Sequence, residues 1–89
     1  MDDQVLAELR SAAAVRRAAR QRMADVNAEY SYPSPERADA RRAYDVAVAR
    51  WSELIRAAAA AGYTKNDIAR AAGCTRPSLY RHLRPTPRT

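Results

Sequence analysis

Three consecutive side chains near the C-terminus, Arg76, Pro77 and Ser78, have the chemistry to read the edges of nucleic-acid bases. An arginine guanidinium presents a two-pronged donor to guanine O6 and N7, a proline ring can lie against a thymine methyl, and a serine hydroxyl bonds either base class. Around them Lys65, Arg70, Arg81 and Arg84 offer positive charge to a phosphate backbone, in contacts that ignore sequence and weaken with salt. Base choice would then rest mainly on Arg76. The charge distribution agrees. The formal net charge is +6, and residues 63–89 hold +5 of it, with Lys65, Arg70, Arg76, Arg81, Arg84 and Arg88 against Asp67 alone. A basic end of this kind is the footprint of a polyanionic partner.

Other chemistries find little material. His82 is the only histidine and Cys74 the only cysteine, so there is no disulfide framework and no metal cluster of the usual ligand spacing. No pair of titratable groups and no phosphate-cradling loop can be assembled, so no catalytic residue, metal or cofactor is assigned and an enzyme is not expected. His82 reads as a phosphate contact or a plain surface position, and Cys74 as a small core residue. Tyr30, Tyr32, Tyr44 and Trp51 are spaced to pack among helices rather than to form a base-stacking platform. Arg16, Arg17, Arg20 and Arg22 could form a second DNA contact, but they lie among acids and read rather as a solvated face making i,i+4 pairs. No apolar stretch approaches the roughly 18 residues that a membrane span requires, and the chain opens on acidic Asp2 and Asp3. A cytoplasmic, nucleoid-associated protein is expected, and at 89 residues one with no enclosed pocket for a small-molecule ligand.

The elements that must position these side chains are helices. The 47% hydrophobic share is carried largely by alanine, Phe is absent and there are only two glycines, a composition suited to helices that touch through small residues. Asp2 or Asp3 can cap a first helix over about 3–29, with the apolar stripe Val5, Leu9, Ala12, Ala19, Met23, Val26 and Tyr30 interrupted by Arg16. The interruption suggests that Arg16 marks a contact with another chain. Two prolines in Tyr30-Ser31-Tyr32-Pro33-Ser34-Pro35 end that helix, and Ser34-Pro35-Glu36 supplies a cap, a first-turn proline and an early acid for the next. Helix 2 runs from about 35 through Tyr44, Ala47, Val48, Trp51, Leu54, Ile55 and Ala58 to a C-terminal cap at Gly62. Two helices of matched length joined by a short proline turn should fold back as an antiparallel hairpin with coiled-coil-like packing.

Beyond Gly62 the helices shorten. Thr64 caps a helix over about 65–72 with Asp67 three residues on, Gly73 ends it, Thr75 caps the next, and Pro85 stops that one near Arg84. The first short helix carries Ala69 and Ala72 where a second could cross, Gly73 tolerates positive φ, Cys74 can enter the core, and Leu79 and Leu83 face inward. Those are the slots of a helix-turn-helix. The string Ile68-Ala69-Arg70-Ala71-Ala72-Gly73-Cys74-Thr75-Arg76-Pro77-Ser78-Leu79-Tyr80-Arg81-His82-Leu83 closely resembles the DNA-binding motif of the tetracycline-repressor family, in its I-A-x-x-A-G opening and its P-[ST]-L-Y-x-H-[LVF] close. The resemblance covers about 20 residues. It implies that Arg76, Pro77 and Ser78 face base edges, while Tyr80 and His82, with Thr64 and Lys65 at the start of the preceding helix and Arg81 beside them, meet the DNA backbone. That family carries its motif near the N-terminus, ahead of a large ligand-binding domain. Here the motif is C-terminal, so an inducer is not expected.

The expectation is thus an all-α chain of four helices: a long antiparallel hairpin over 1–62 for dimerisation or partner binding, a helix-turn-helix over 63–84, and a disordered tail over 85–89. The partner is double-stranded DNA, read in the major groove by the helix at about 76–84, in a sequence-specific transcriptional regulator. A homodimer through the N-terminal helices is expected because one recognition helix reads only a few base pairs. The competing readings are a helical adaptor for another protein and an architectural or recombination accessory that bends DNA.

Overall fold

Ser34 shows how the chain reverses. It is held in an extended conformation (φ −151°, ψ 160°), and its hydroxyl accepts a hydrogen bond from the Arg37 backbone N–H at 3.2 Å, with Pro35 in the first helical turn and Glu36 behind it. An oxygen-bearing cap satisfies one of the orphan donors of a helix start, and a proline there gives up an N–H that would have had no partner. The computed structural model describes residues 4–83, and on either side of this turn it has α1 (Gln4–Glu29) and α2 (Pro35–Ala60), each of 26 residues, packed as an antiparallel hairpin. Each helix is about 39 Å long at 1.5 Å per residue. The proposed caps at Asp2 and Asp3, Arg84 and the tail over 85–89 lie outside the described residues.

At the far end of α2, Gly62 takes a φ of +94° and the Tyr63 N–H returns to the Ala58 carbonyl at 3.2 Å, so the last turn closes on itself. Two short helices follow, α3 (Lys65–Ala72) and α4 (Arg76–Leu83), making the described chain all-α with four helices. Thr64 caps α3 by accepting from the Asp67 N–H at 3.1 Å. Gly73 ends it at φ +70°, ψ 34°, and the Cys74 N–H reaches back to the Ala69 carbonyl at 3.1 Å. A residue with a Cβ is disfavoured in that left-handed conformation by roughly 1–2 kcal/mol. Thr75 then caps α4, its hydroxyl accepting from the Ser78 N–H at 3.3 Å.

The core sits where the open end of the hairpin meets the two short helices. Leu9 from α1, Ile55 from α2, Ile68 from α3 and Leu79 from α4 are its largest fully buried side chains, so one hydrophobic core joins all four elements across the helix end at residue 62. Leu6 and Ala13 are buried in α1 although the single apolar stripe passes them by, because α1 packs against α3 as well as α2 and needs a wider apolar face. Ala19, Met23, Val26 and Tyr30 are only half-buried, since α1 has α2 alone for a neighbour near the proline turn.

Arg16 finds its seat within the chain. It continues the inward face of α1, and its guanidinium lies 4.2 Å from the centre of the Trp51 ring. A long aliphatic stem with a delocalised cation at its end packs on an indole face as an apolar residue would, while keeping its charge.

Candidate nucleic-acid interface

The position of α4 is set from beneath by Trp51. Its indole Nε1–H donates to the carbonyl of Ala72 at 3.0 Å, and Ala72 is the last residue of α3. That carbonyl is one of the helix-end acceptors that has no partner within its own helix. The same ring meets His82 of α4 nearly perpendicular, at 84°, with centroids 4.7 Å apart. Trp51 therefore ties α2 to the end of α3 and to the last turn of α4.

On that support α4 turns Leu79 inward and leaves Arg76, Pro77, Tyr80 and Arg81 exposed, with Ser78 half-buried at the edge. Thr64 and Lys65, at the start of α3, are exposed too. The Arg76 guanidinium folds along its own helix: Nη2 donates to the Tyr80 hydroxyl at 2.6 Å, and the guanidinium carbon is 5.7 Å from the ring centre. One of five donors is thereby engaged and the planar group is braced, leaving the others free to pair with a flat two-acceptor edge. Tyr80 is thus a buttress for Arg76, one helical turn away.

His82 departs from the surface position read for it. It is half-buried against Trp51, and its Nδ1 lies 3.4 Å from Ser52 Oγ. Burial, and then the positive charges of Arg16, Arg81 and Arg56, hold its pKa below the ordinary 6.5. The shift favours the neutral ring, which packs edge-on against Trp51. Helical spacing carries the signal for this, since 79, 82 and 83 share one side of α4. Cys74 is half-buried beside the core as expected, and burial pushes its thiol up, opposed in part by the charge of Arg16.

Of the α1 arginines read as a solvated face making i,i+4 pairs, Arg17, Arg20 and Arg22 are exposed and Arg16 is half-buried, and none of the four forms an ion pair among the described residues. The ion pairs among the described residues are Arg41 with Asp45 at 3.1 Å, Arg42 with Asp39, and Arg50 with Glu8 at 3.5 Å. Arg16 is taken by Trp51, and Arg17 reaches the turn between α3 and α4, where its Nη1 lies 3.3 Å from the point a Cβ on Gly73 would occupy.

At the opposite end of the hairpin an open cleft of about 330 Å³ is lined by Met23, Asn27, Pro33, Ser34, Arg37 and Arg41. Its two arginines are engaged, Arg37 with the Asn27 side-chain oxygen at 3.0 Å and Arg41 with Asp45. Among the described residues no helix is long and apolar enough to cross a membrane, and no three of His, Cys, Asp and Glu are grouped to hold a metal ion. No family model, curated protein or solved structure matches the chain.

Proposed function

We propose that this chain binds double-stranded DNA by laying α4 in the major groove, and that it works as a small sequence-specific regulator of transcription. The observation that carries the reading is the pair of eight-residue helices joined through left-handed Gly73, packed by Ile68, Ala69, Ala72 and Leu79 and leaving Arg76, Pro77, Tyr80 and Arg81 outward. This is the geometry that lets a recognition helix enter a groove about 12 Å wide while the preceding helix crosses the backbone. The likeness of residues 68–83 to the tetracycline-repressor motif supports the same assignment.

Within this reading Arg76 selects guanine, Pro77 and Ser78 contact neighbouring base edges, and Lys65 with Arg81 holds phosphates. Thr64 caps the helix that carries Lys65, and Tyr80 orients Arg76. Two chains pairing through their hairpins would read half-sites about one helical turn, 34–36 Å, apart. The deciding experiment is selection of bound sequences from a random duplex pool, followed by titration across a salt series. A recovered consensus and a steep fall of affinity with salt are expected, and a two-fold symmetric consensus supports pairing. Salt-insensitive or absent binding overturns the assignment in favour of a protein adaptor.

A further inference from the structure

We infer that Arg17, on the hairpin helix α1, is a phosphate-holding residue, so that the DNA-contacting surface extends beyond the helix-turn-helix onto the hairpin. The inference rests on the DNA-binding reading of α4 and adds a contact that reading does not contain. Three observations converge on this side chain. It is exposed and forms no ion pair or hydrogen bond among the described residues, although Arg41, Arg42 and Arg50 all find carboxylates. Its Nη1 stands against the exposed turn residue Gly73, 3.3 Å from where a Cβ would be. And Gly73 is three residues before Arg76, the first residue of the helix assigned to the groove.

The distances suit the role. Consecutive Cα atoms are 3.80 Å apart, so the Arg17 guanidinium lies at most about 16 Å from the Arg76 Cα. The major groove is about 12 Å wide, so a group at that separation from a helix tip in the groove is in reach of the bordering strand. Lys65 stands at the other end of α3, about 12 Å away along eight residues. Lys65 and Arg17 thus bracket α3, one cation at each end of the helix that crosses the backbone. Arg20, also exposed and three residues on, shares this side of α1 and extends the positive strip. An exposed arginine that stands beside a turn with no carboxylate partner has its donors available to an incoming phosphate.

The test compares the intact protein with Arg17→Gln, Arg17→Lys and, as a control on the opposite side of α1, Arg22→Gln, by fluorescence anisotropy on a random-sequence duplex and on a selected site over a salt series. Each neutralised phosphate contributes about 0.9 to the slope of log affinity against log salt. The expected result is a slope shallower by about one for Arg17→Gln, several-fold weaker binding on both duplexes alike, recovery with Arg17→Lys, and no change with Arg22→Gln. Circular-dichroism melts of the variants should match the parent, as the side chain is exposed. If the parent binds with a steep slope and Arg17→Gln binds identically, this inference falls and the α4 reading stands. If the parent does not bind duplex DNA, both fall together.

Discussion

The indole N–H of Trp51 donates to the carbonyl of Ala72 at 3.0 Å, joining the middle of the hairpin to the last residue of α3 across 21 positions of chain. Both groups are buried, so removing the donor leaves a buried acceptor unsatisfied. Trp51→Phe keeps an aromatic ring for Arg16 and His82 but loses that bond, and should destabilise the fold by about 1–3 kcal/mol. Trp51→Ala also empties the junction and should cost about 3–5 kcal/mol. Urea unfolding followed by circular dichroism measures both, and a Trp51→Phe variant as stable as the parent, beside a destabilised Trp51→Ala, would show that packing alone holds the junction.

Much of this junction could not be read along the chain. The bounds of α3 were legible because Thr64 and Gly73 mark them with side-chain and backbone chemistry that acts within four residues. The seat of Arg16 on Trp51 is different in kind. It joins residues 35 positions apart, and a charged residue in an apolar stripe looks like an interruption until the aromatic face that receives it is known. Leu6 and Ala13 were missed for a related reason: one period of apolar residues describes a helix with one neighbour, and α1 has two at its N-terminal half. At the candidate interface the outward residues of α4 followed from helical spacing. The brace between Arg76 and Tyr80 was open to the same logic, as i,i+4 residues face each other.

Gly73 carries a backbone demand that its neighbours do not. At φ +70° an L-residue is strained, so Gly73→Ala should cost roughly 1–2 kcal/mol. The added methyl would also meet Arg17 Nη1 at 3.3 Å, but that atom ends a flexible side chain and can move aside. The strain therefore dominates. Thermal melting of Gly73→Ala with and without Arg17→Ala separates the two contributions: a loss that persists unchanged in the double variant belongs to the backbone, and one that disappears belongs to the contact.

Stability should fall on mild acidification because of His82. Burial, reinforced by Arg16, Arg81 and Arg56, keeps the folded-state pKa below 6.5, whereas the unfolded ring protonates at its ordinary value. Between the two values the unfolded chain binds more protons, so the free energy of unfolding rises with pH there. The stabilisation is whole above about pH 7.5, begins to fade as pH falls through the unfolded value, and is lost once pH drops below the folded one. His82→Gln should flatten the melting temperature between about pH 7.5 and pH 5.5. A variant that keeps the parent's slope in that window would assign it to some other group.

Arg76 and Lys65 are expected to fail in different ways, and the difference tests how the work is divided in the proposed interface. Arg76→Ala removes the side chain assigned to fork onto guanine, so discrimination at one base position should shrink by about 1–3 kcal/mol while binding to random duplex changes little. Lys65→Ala should weaken all sequences alike and make the salt slope shallower by about one. Tyr80→Phe lies between them. It deletes the hydroxyl that accepts from Arg76 at 2.6 Å but leaves the ring beneath the guanidinium, so it should lose part of the Arg76 preference at the same base position and none elsewhere. Competition binding on a panel of single-base variants of the selected site reads all three. A Tyr80→Phe profile that is uniformly weakened, like that of Lys65→Ala, would make Tyr80 a backbone contact in its own right and remove it as the brace of Arg76.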